Sequence, residues 1–184
     1  MLRHLPNILT GLRLIAAPAL AVLLLRTMYD AAFGVFVFAG VSDVADGYLA
    51  KRFKLATRFG RYLDPTADKL LMTISFVVLT WLGIAPLWLT VLVIARDLAI
   101  ILGIVLARFL ELPVRVAPIA AGKFSTFVQV SYVGLMLLFL ALDTHWPMLA
   151  SMVAVACGMA TVFSWLAYAQ IWLKALAQKR NKPA

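Results

Sequence analysis

The chain has 184 residues, 64% of them hydrophobic, with a mean hydropathy of +0.97. Soluble domains hold about 45–50% apolar residues, so this composition reads as an integral membrane protein, and the length fits one domain over residues 1–184. The net charge of +9 comes with no nucleic-acid-binding motif, so no nucleic-acid partner is expected, and the single cysteine, Cys157, rules out a disulfide within the chain.

A membrane-spanning helix needs about 20 mostly apolar residues. Six stretches qualify in chain order: 8–26, 31–50, 65–83, 86–110, 123–142 and 146–174. The expected fold is therefore an all-α integral membrane protein with six transmembrane helices. The first apolar run, 8–25, is too long for a cleaved leader and lacks a small-residue cleavage site, so it is expected to be retained. Short separators at 27–30, 83–86 and 143–147 alternate with longer polar connections at 51–64 and 110–123. Of the 17 Lys and Arg residues, all but Arg26, Lys69 and Arg96 fall on the side of the two termini and the long connections. Positive charge collects on the cytoplasmic side, which places both termini there and makes membrane lipids, anionic headgroups above all, a partner of that face.

The chain opens with Leu5-Pro-Asn7-Ile-Leu-Thr10-Gly-Leu-Arg13. Taken alone, this is an interfacial helix start, with Asn7 or Thr10 as a cap and Arg13 snorkelling to the headgroups. The next stretches carry the acids. Only eight Asp and Glu occur, and four of them, Asp43, Asp46, Asp64 and Asp68, lie at the end of the second span and the start of the third. Carboxylates at membrane depth are costly and mark function by default. Asp43 and Asp46 are spaced i, i+3; Asp64 and Asp68 are spaced i, i+4. Each pair thus shares a helix face. Facing carboxylates repel, a divalent cation relieves the repulsion, and oxygen-only ligands suit magnesium, manganese or calcium rather than zinc. These groups would line an intramembrane polar cavity open to the cytoplasm. Gly47 and Gly60 flank them, where a missing side chain lets a ligand or a backbone approach.

The stretch from Asp43 to Asp68, with Gly47, Ala50, Lys51, Gly60 and Asp64 between, resembles the signature of CDP-alcohol phosphatidyltransferases, D-x2-D-G-x2-A-R-x8-G-x3-D-x3-D. Every spacing agrees, and the signature arginine is Lys51 here, followed by Arg52. The resemblance implies two Mg2+ or Mn2+ ions held by Asp43, Asp46, Asp64 and Asp68, with Asp68 also the general base. It implies CDP-diacylglycerol as donor, bound with the help of Gly47, Lys51, Arg52 and Gly60. The opening segment also resembles the family's start, which brings Asn7, Thr10 and Arg13 near the nucleotide. A homodimer in a bacterial or mitochondrial inner membrane is the implied setting.

Further along, Arg96 lies inside the fourth span and Lys123 opens the fifth. A direct pair between Arg96 and its neighbour Asp97 is awkward, because successive helix residues point about 100° apart. Both cations are therefore expected to bind an anionic acceptor. Arg96-Asp97 and the sequence Gly122-Lys123-Phe-Ser125-Thr126 resemble the CMP-forming cardiolipin synthases, whose acceptor is phosphatidylglycerol. Phosphatidylglycerophosphate synthases, which use glycerol 3-phosphate, show a second lysine where Ser125 stands. The acceptor is expected to be phosphatidylglycerol, with glycerol 3-phosphate as the alternative. Outside enzymes, a cation channel or transporter would also place carboxylates among helices, but with polar residues through more of the membrane depth.

Overall fold

The structure is a computed structural model that describes residues 5–53, 60–109 and 119–180. Six α-helices run through these residues: α1 (Leu5–Leu25), α2 (Tyr29–Phe53), α3 (Gly60–Trp81), α4 (Leu87–Phe109), α5 (Ala120–Ala141) and α6 (Pro147–Arg180). They follow the six expected stretches in order. The ends differ where polar residues continue a helix beyond its apolar part: α2 and α3 reach into the basic connection from both sides, and α6 runs on past Lys174.

Three helices end in the same way. After α1, Thr27 N–H donates to the Leu24 carbonyl and Met28 N–H to the Leu23 carbonyl. After α3, Gly83 bonds Thr80 and Ile84 bonds Leu79; after α5, Asp143 bonds Leu140 and Thr144 bonds Phe139. This paired pattern closes a helix through one residue in the left-handed region, and Thr27, Gly83 and Asp143 have φ of 58°, 74° and 49°. Only Gly83 is a glycine. Thr27, being β-branched, holds that conformation at a cost. Pro147 opens α6 at the position where a missing N–H loses no bond.

Among the described side chains, three helices are long and apolar enough to cross a membrane: Leu87–Ala107, Ala120–Ala141 and Pro147–Lys174, with Gly11–Leu25 a shorter apolar stretch. Large apolar side chains stand outward along the helices, with Trp81 of α3, Phe109 of α4 and Met148 of α6 82%, 86% and 78% exposed. So much outward apolar surface is a liability in water and the normal condition against lipid.

The helices group into two compact units. The first holds residues 1–85 and 133–146, the second residues 86–132 and 147–184. In the first, α1 packs on both α2 and α3, and Ala17, Leu20 and Leu24 of α1, Ala32, Phe36 and Ala39 of α2 and Ala67, Leu71 and Phe76 of α3 are all buried. The alanines bring helix backbones close, the usual means of association where lipid removes the hydrophobic driving force. In the second, α4 packs on α6, with Leu89, Val93, Cys157 and Thr161 buried.

On α6, Gly158 lies against Trp88 of α4. A Cβ there would lie 2.6 Å from the Trp88 ring. Gly158→Leu is accordingly expected to destabilise the protein by about 1–3 kcal/mol through overpacking. Thermal unfolding in detergent reads this directly, and an unchanged midpoint would show that the two helices are not pressed together there.

Candidate active site

In the first unit, three helices meet at one guanidinium. Arg13 sits on α1, Asp43 on α2 and Asp68 on α3. Arg13 Nη1 donates to Asp43 Oδ1 at 2.8 Å and to Asp68 Oδ1 at 2.7 Å. The two oxygens are therefore no further apart than the sum of those two distances. Arg13 itself is 2% exposed, whereas the two carboxylate side chains are 49% and 42% exposed. So Arg13 does not snorkel to the headgroups. It turns inward, because two carboxylates offset the cost of a buried cation better than the apolar interior does. The carboxylates face open space on their other side, as groups that meet a ligand must.

Of the other residues singled out in this unit, Asn7 and Thr10 fall on α1, Asp46, Gly47, Lys51 and Arg52 on α2, and Gly60 and Asp64 on α3. Their side chains lie outside the described residues. The structure thus brings Asp43 and Asp68 together, two of the four expected metal ligands, and adds Arg13 between them.

The second unit holds a separate polar cluster around Arg96, which is 3% exposed. Arg96 Nη1 donates to Asp97 Oδ1 at 2.8 Å. The pair that helix geometry made awkward does form, because the length of the two side chains spans the angle between them. Arg96 Nη2 donates to Ser164 Oγ on α6 at 2.7 Å and to the Gly122 carbonyl at 3.5 Å. The Tyr168 ring lies under the guanidinium, 5.8 Å from its Cζ. Among the described residues Arg96 Nε, though buried, has no hydrogen-bond partner. Lys123 is exposed in the first turn of α5, and Ser125, two residues on, is 0% exposed. Gln129 Nε2 donates to Ser125 Oγ at 3.4 Å and to Thr161 Oγ1 at 3.1 Å.

Ser164, Tyr168, Gln129 and the Gly122 carbonyl were missed from sequence. A signal was present: Thr161, Ser164 and Tyr168 recur at i, i+3 and i+7 of α6, one face of a 3.6-residue period. Such residues also serve as plain helix–helix glue, so only the arginine that they meet distinguishes them.

Comparison with known proteins adds to this geometry. The family model described as CDP-alcohol phosphatidyltransferase matches residues 3–175. The chain is 37% identical over 152 residues to a probable phosphatidylglycerophosphate synthase of Mycobacterium tuberculosis, covering 77% of this chain and 69% of that protein. It is 37% identical over 109 residues to the cardiolipin synthase (CMP-forming) of Homo sapiens, covering 59% and 36%. It is 38% identical over 105 residues to the CDP-diacylglycerol–glycerol-3-phosphate 3-phosphatidyltransferase of Bacillus subtilis, covering 56% and 53%.

Removing the guanidinium by Arg13→Ala takes away the cation that Asp43 and Asp68 share. Breaking a fully buried pair costs about 3–5 kcal/mol. The half-exposed carboxylates are screened by solvent, so a loss of about 1–3 kcal/mol is expected in chemical unfolding in detergent. Arg13→Ala combined with Asp43→Asn and Asp68→Asn should recover part of it; a triple variant no more stable than the single would remove the charge argument.

Proposed function

The chain belongs to the CDP-alcohol phosphatidyltransferase family, and we propose on that footing that it transfers a phosphatidyl group from CDP-diacylglycerol to the hydroxyl of an anionic glycerol-based acceptor, releasing CMP. Family membership makes it an enzyme of phospholipid synthesis and sets aside the channel or transporter reading. The observation that carries the site assignment is the convergence of Asp43 and Asp68 from different helices onto one cation.

The donor set fits the implied metal. The carboxylates are oxygen-only ligands, gathered at the end of α2 and the start of α3, and the two described ones stand close enough to share a cation. Asp43, Asp46, Asp64 and Asp68 would hold Mg2+ or Mn2+, in two ions, and their coordination chemistry would neutralise the donor diphosphate and the charge on departing CMP. The protein's own groups do the rest. Asp68 takes the proton from the acceptor hydroxyl as its oxygen attacks the lipid-bearing phosphorus. The bond from that phosphorus to the CMP oxygen breaks, in line with the attack. Gly47, Lys51, Arg52 and Gly60, with Asn7 and Thr10, bind and orient the nucleotide. Arg13 holds the two carboxylates in place from beneath.

Arg96 and Lys123 bind the acceptor's phosphate in this reading. Both contending acceptors present the same glycerol with a phosphate three carbons from the attacking hydroxyl. They differ in charge: glycerol 3-phosphate carries a doubly charged monoester, phosphatidylglycerol a singly charged diester. Here Asp97 offsets Arg96, and the place of a second lysine is taken by Ser125, buried and bonded to Gln129. That lean charge favours phosphatidylglycerol, a cardiolipin synthase-like activity. The likeness to the mycobacterial protein over 152 residues favours the glycerol 3-phosphate alternative.

The setting completes the proposal. The six helices all span the membrane, as one domain over residues 1–184, with both termini cytoplasmic or in the matrix and the carboxylates lining a cavity open to that side. The membrane is a bacterial or mitochondrial inner membrane, and the protein is a homodimer.

Purified protein with CDP-diacylglycerol and Mg2+ or Mn2+ should release CMP with phosphatidylglycerol and little with glycerol 3-phosphate. Chelation with EDTA should stop it. Asp68→Asn should lower turnover by roughly 100-fold or more, the scale of a lost general base, while still binding CDP-diacylglycerol. CMP release with neither acceptor overturns the proposal, and full activity of Asp68→Asn removes Asp68 from the base role.

A further inference from the structure

We propose that Ser164 and Tyr168 are positioning residues that aim the Arg96 guanidinium at the acceptor, and that Gly122 lacks a side chain so that they can do so. The inference rests on the reading of Arg96 as an acceptor ligand.

An arginine side chain has several free torsions, and fixing it in one direction costs entropy unless partners hold it. Asp97 cannot do this alone. It lies on the same helix, so Arg96 and Asp97 move together as α4 moves. The contacts from α6 supply an independent reference. Ser164 is 0% exposed, and its hydroxyl accepts from Arg96 Nη2 at 2.7 Å. Tyr168, one turn further along α6, sets its ring 5.8 Å from Cζ, within range of a cation–π attraction. Together they fix the position of the guanidinium and the plane in which it lies.

The backbone at Gly122 leaves the necessary room. A Cβ there would stand 2.9 Å from the Tyr168 hydroxyl and 3.3 Å from Arg96 Nη2. The Gly122 carbonyl lies 3.5 Å from the same Nη2. Any side chain at 122 would have to displace the ring, the guanidinium or both.

The consequence concerns what remains. Nη1 is engaged by Asp97 and Nη2 by Ser164 and Gly122. Nε is left as a buried donor without a partner among the described residues. A buried N–H in that condition is costly, and a phosphate oxygen supplied by the acceptor relieves the cost. Of the five N–H groups of the guanidinium, these three bonds use one on Nη1 and both on Nη2, so the Nε N–H and the second Nη1 N–H are what Arg96 keeps for an acceptor phosphate.

A plain packing role for Ser164 would lower stability and affect all kinetic constants alike. A positioning role falls on the acceptor. CMP release by the purified full-length protein is measured against phosphatidylglycerol in mixed micelles, and against glycerol 3-phosphate in parallel, and then against CDP-diacylglycerol at saturating acceptor. Ser164→Ala is expected to raise the acceptor KM about tenfold, the scale of a lost bond to a charged group, with the CDP-diacylglycerol KM unchanged. Ser164→Thr, which keeps the hydroxyl, should restore most of it. Tyr168→Leu should raise the acceptor KM about threefold. If the alanine variant does not accumulate, Ser164→Cys replaces it, with the same acceptor-selective rise expected. Arg96→Gln separates the two levels. If it leaves the acceptor KM unchanged, the acceptor reading of Arg96 fails. If it raises that KM while the Ser164 variants leave it unchanged, or raise both KM values equally, the positioning inference is overturned.

Discussion

The bond of one buried guanidinium to carboxylates on two other helices is the constraint on which the first unit depends. Arg13 lies 2% exposed in an apolar interior with Asp43 and Asp68 facing it. Desolvating a cation costs several kcal/mol, so the three groups specify one another: α1 cannot turn without stranding its arginine, and α2 and α3 cannot turn without parting their carboxylates. The alanines buried along α1 and its neighbours allow the close approach, but small residues tolerate many rotations. The ionic contact chooses among them.

The same contact bears on the proposed binding of divalent cations. One guanidinium gives one positive charge to two carboxylates, and Asp46 and Asp64 lie within one turn of them on the same helices. A centre this rich in negative charge favours added positive charge, and the half-exposed carboxylates leave a way for it to arrive. The cluster in the second unit is arranged on the opposite plan. There the arginine is surrounded by partners, one an acid, so that its net charge is small and its direction is fixed. In the proposed function the first site serves the diphosphate chemistry and the second the acceptor, and the half-exposed carboxylates of the one and the buried arginine of the other accord with that division.

Much of this was legible in the sequence. The apolar runs located all six helices, because length and hydropathy dominate helix formation in lipid. The spacing of the aspartates and glycines named the family, since the motif is local and its residues are rare at membrane depth. Other features were not legible. The partner of Arg13 lies 30 and 55 positions away, and no periodicity within α1 points there. The Arg96–Asp97 pair was judged from Cα directions, whereas the length of the arginine side chain decided it. Thr27 and Asp143 close their helices in a conformation usual for glycine, so the turns were expected but not their geometry. Ser164 is, in the sequence, no different from ordinary helix–helix glue, and only the Arg96 guanidinium against it sets it apart.

The central claim is that the carboxylates converging at Arg13 form a cation-binding centre, and cation binding tests it without reference to turnover. Free Mn2+ can be followed by electron paramagnetic resonance as it is titrated into the metal-free protein in detergent. The account predicts saturable binding that weakens by about tenfold or more in Asp43→Asn, the scale expected for loss of a ligand or its support, and that persists in Asp143→Asn, a carboxylate in the turn after α5. Absence of saturable binding, or equal binding by wild type and Asp43→Asn, would contradict it.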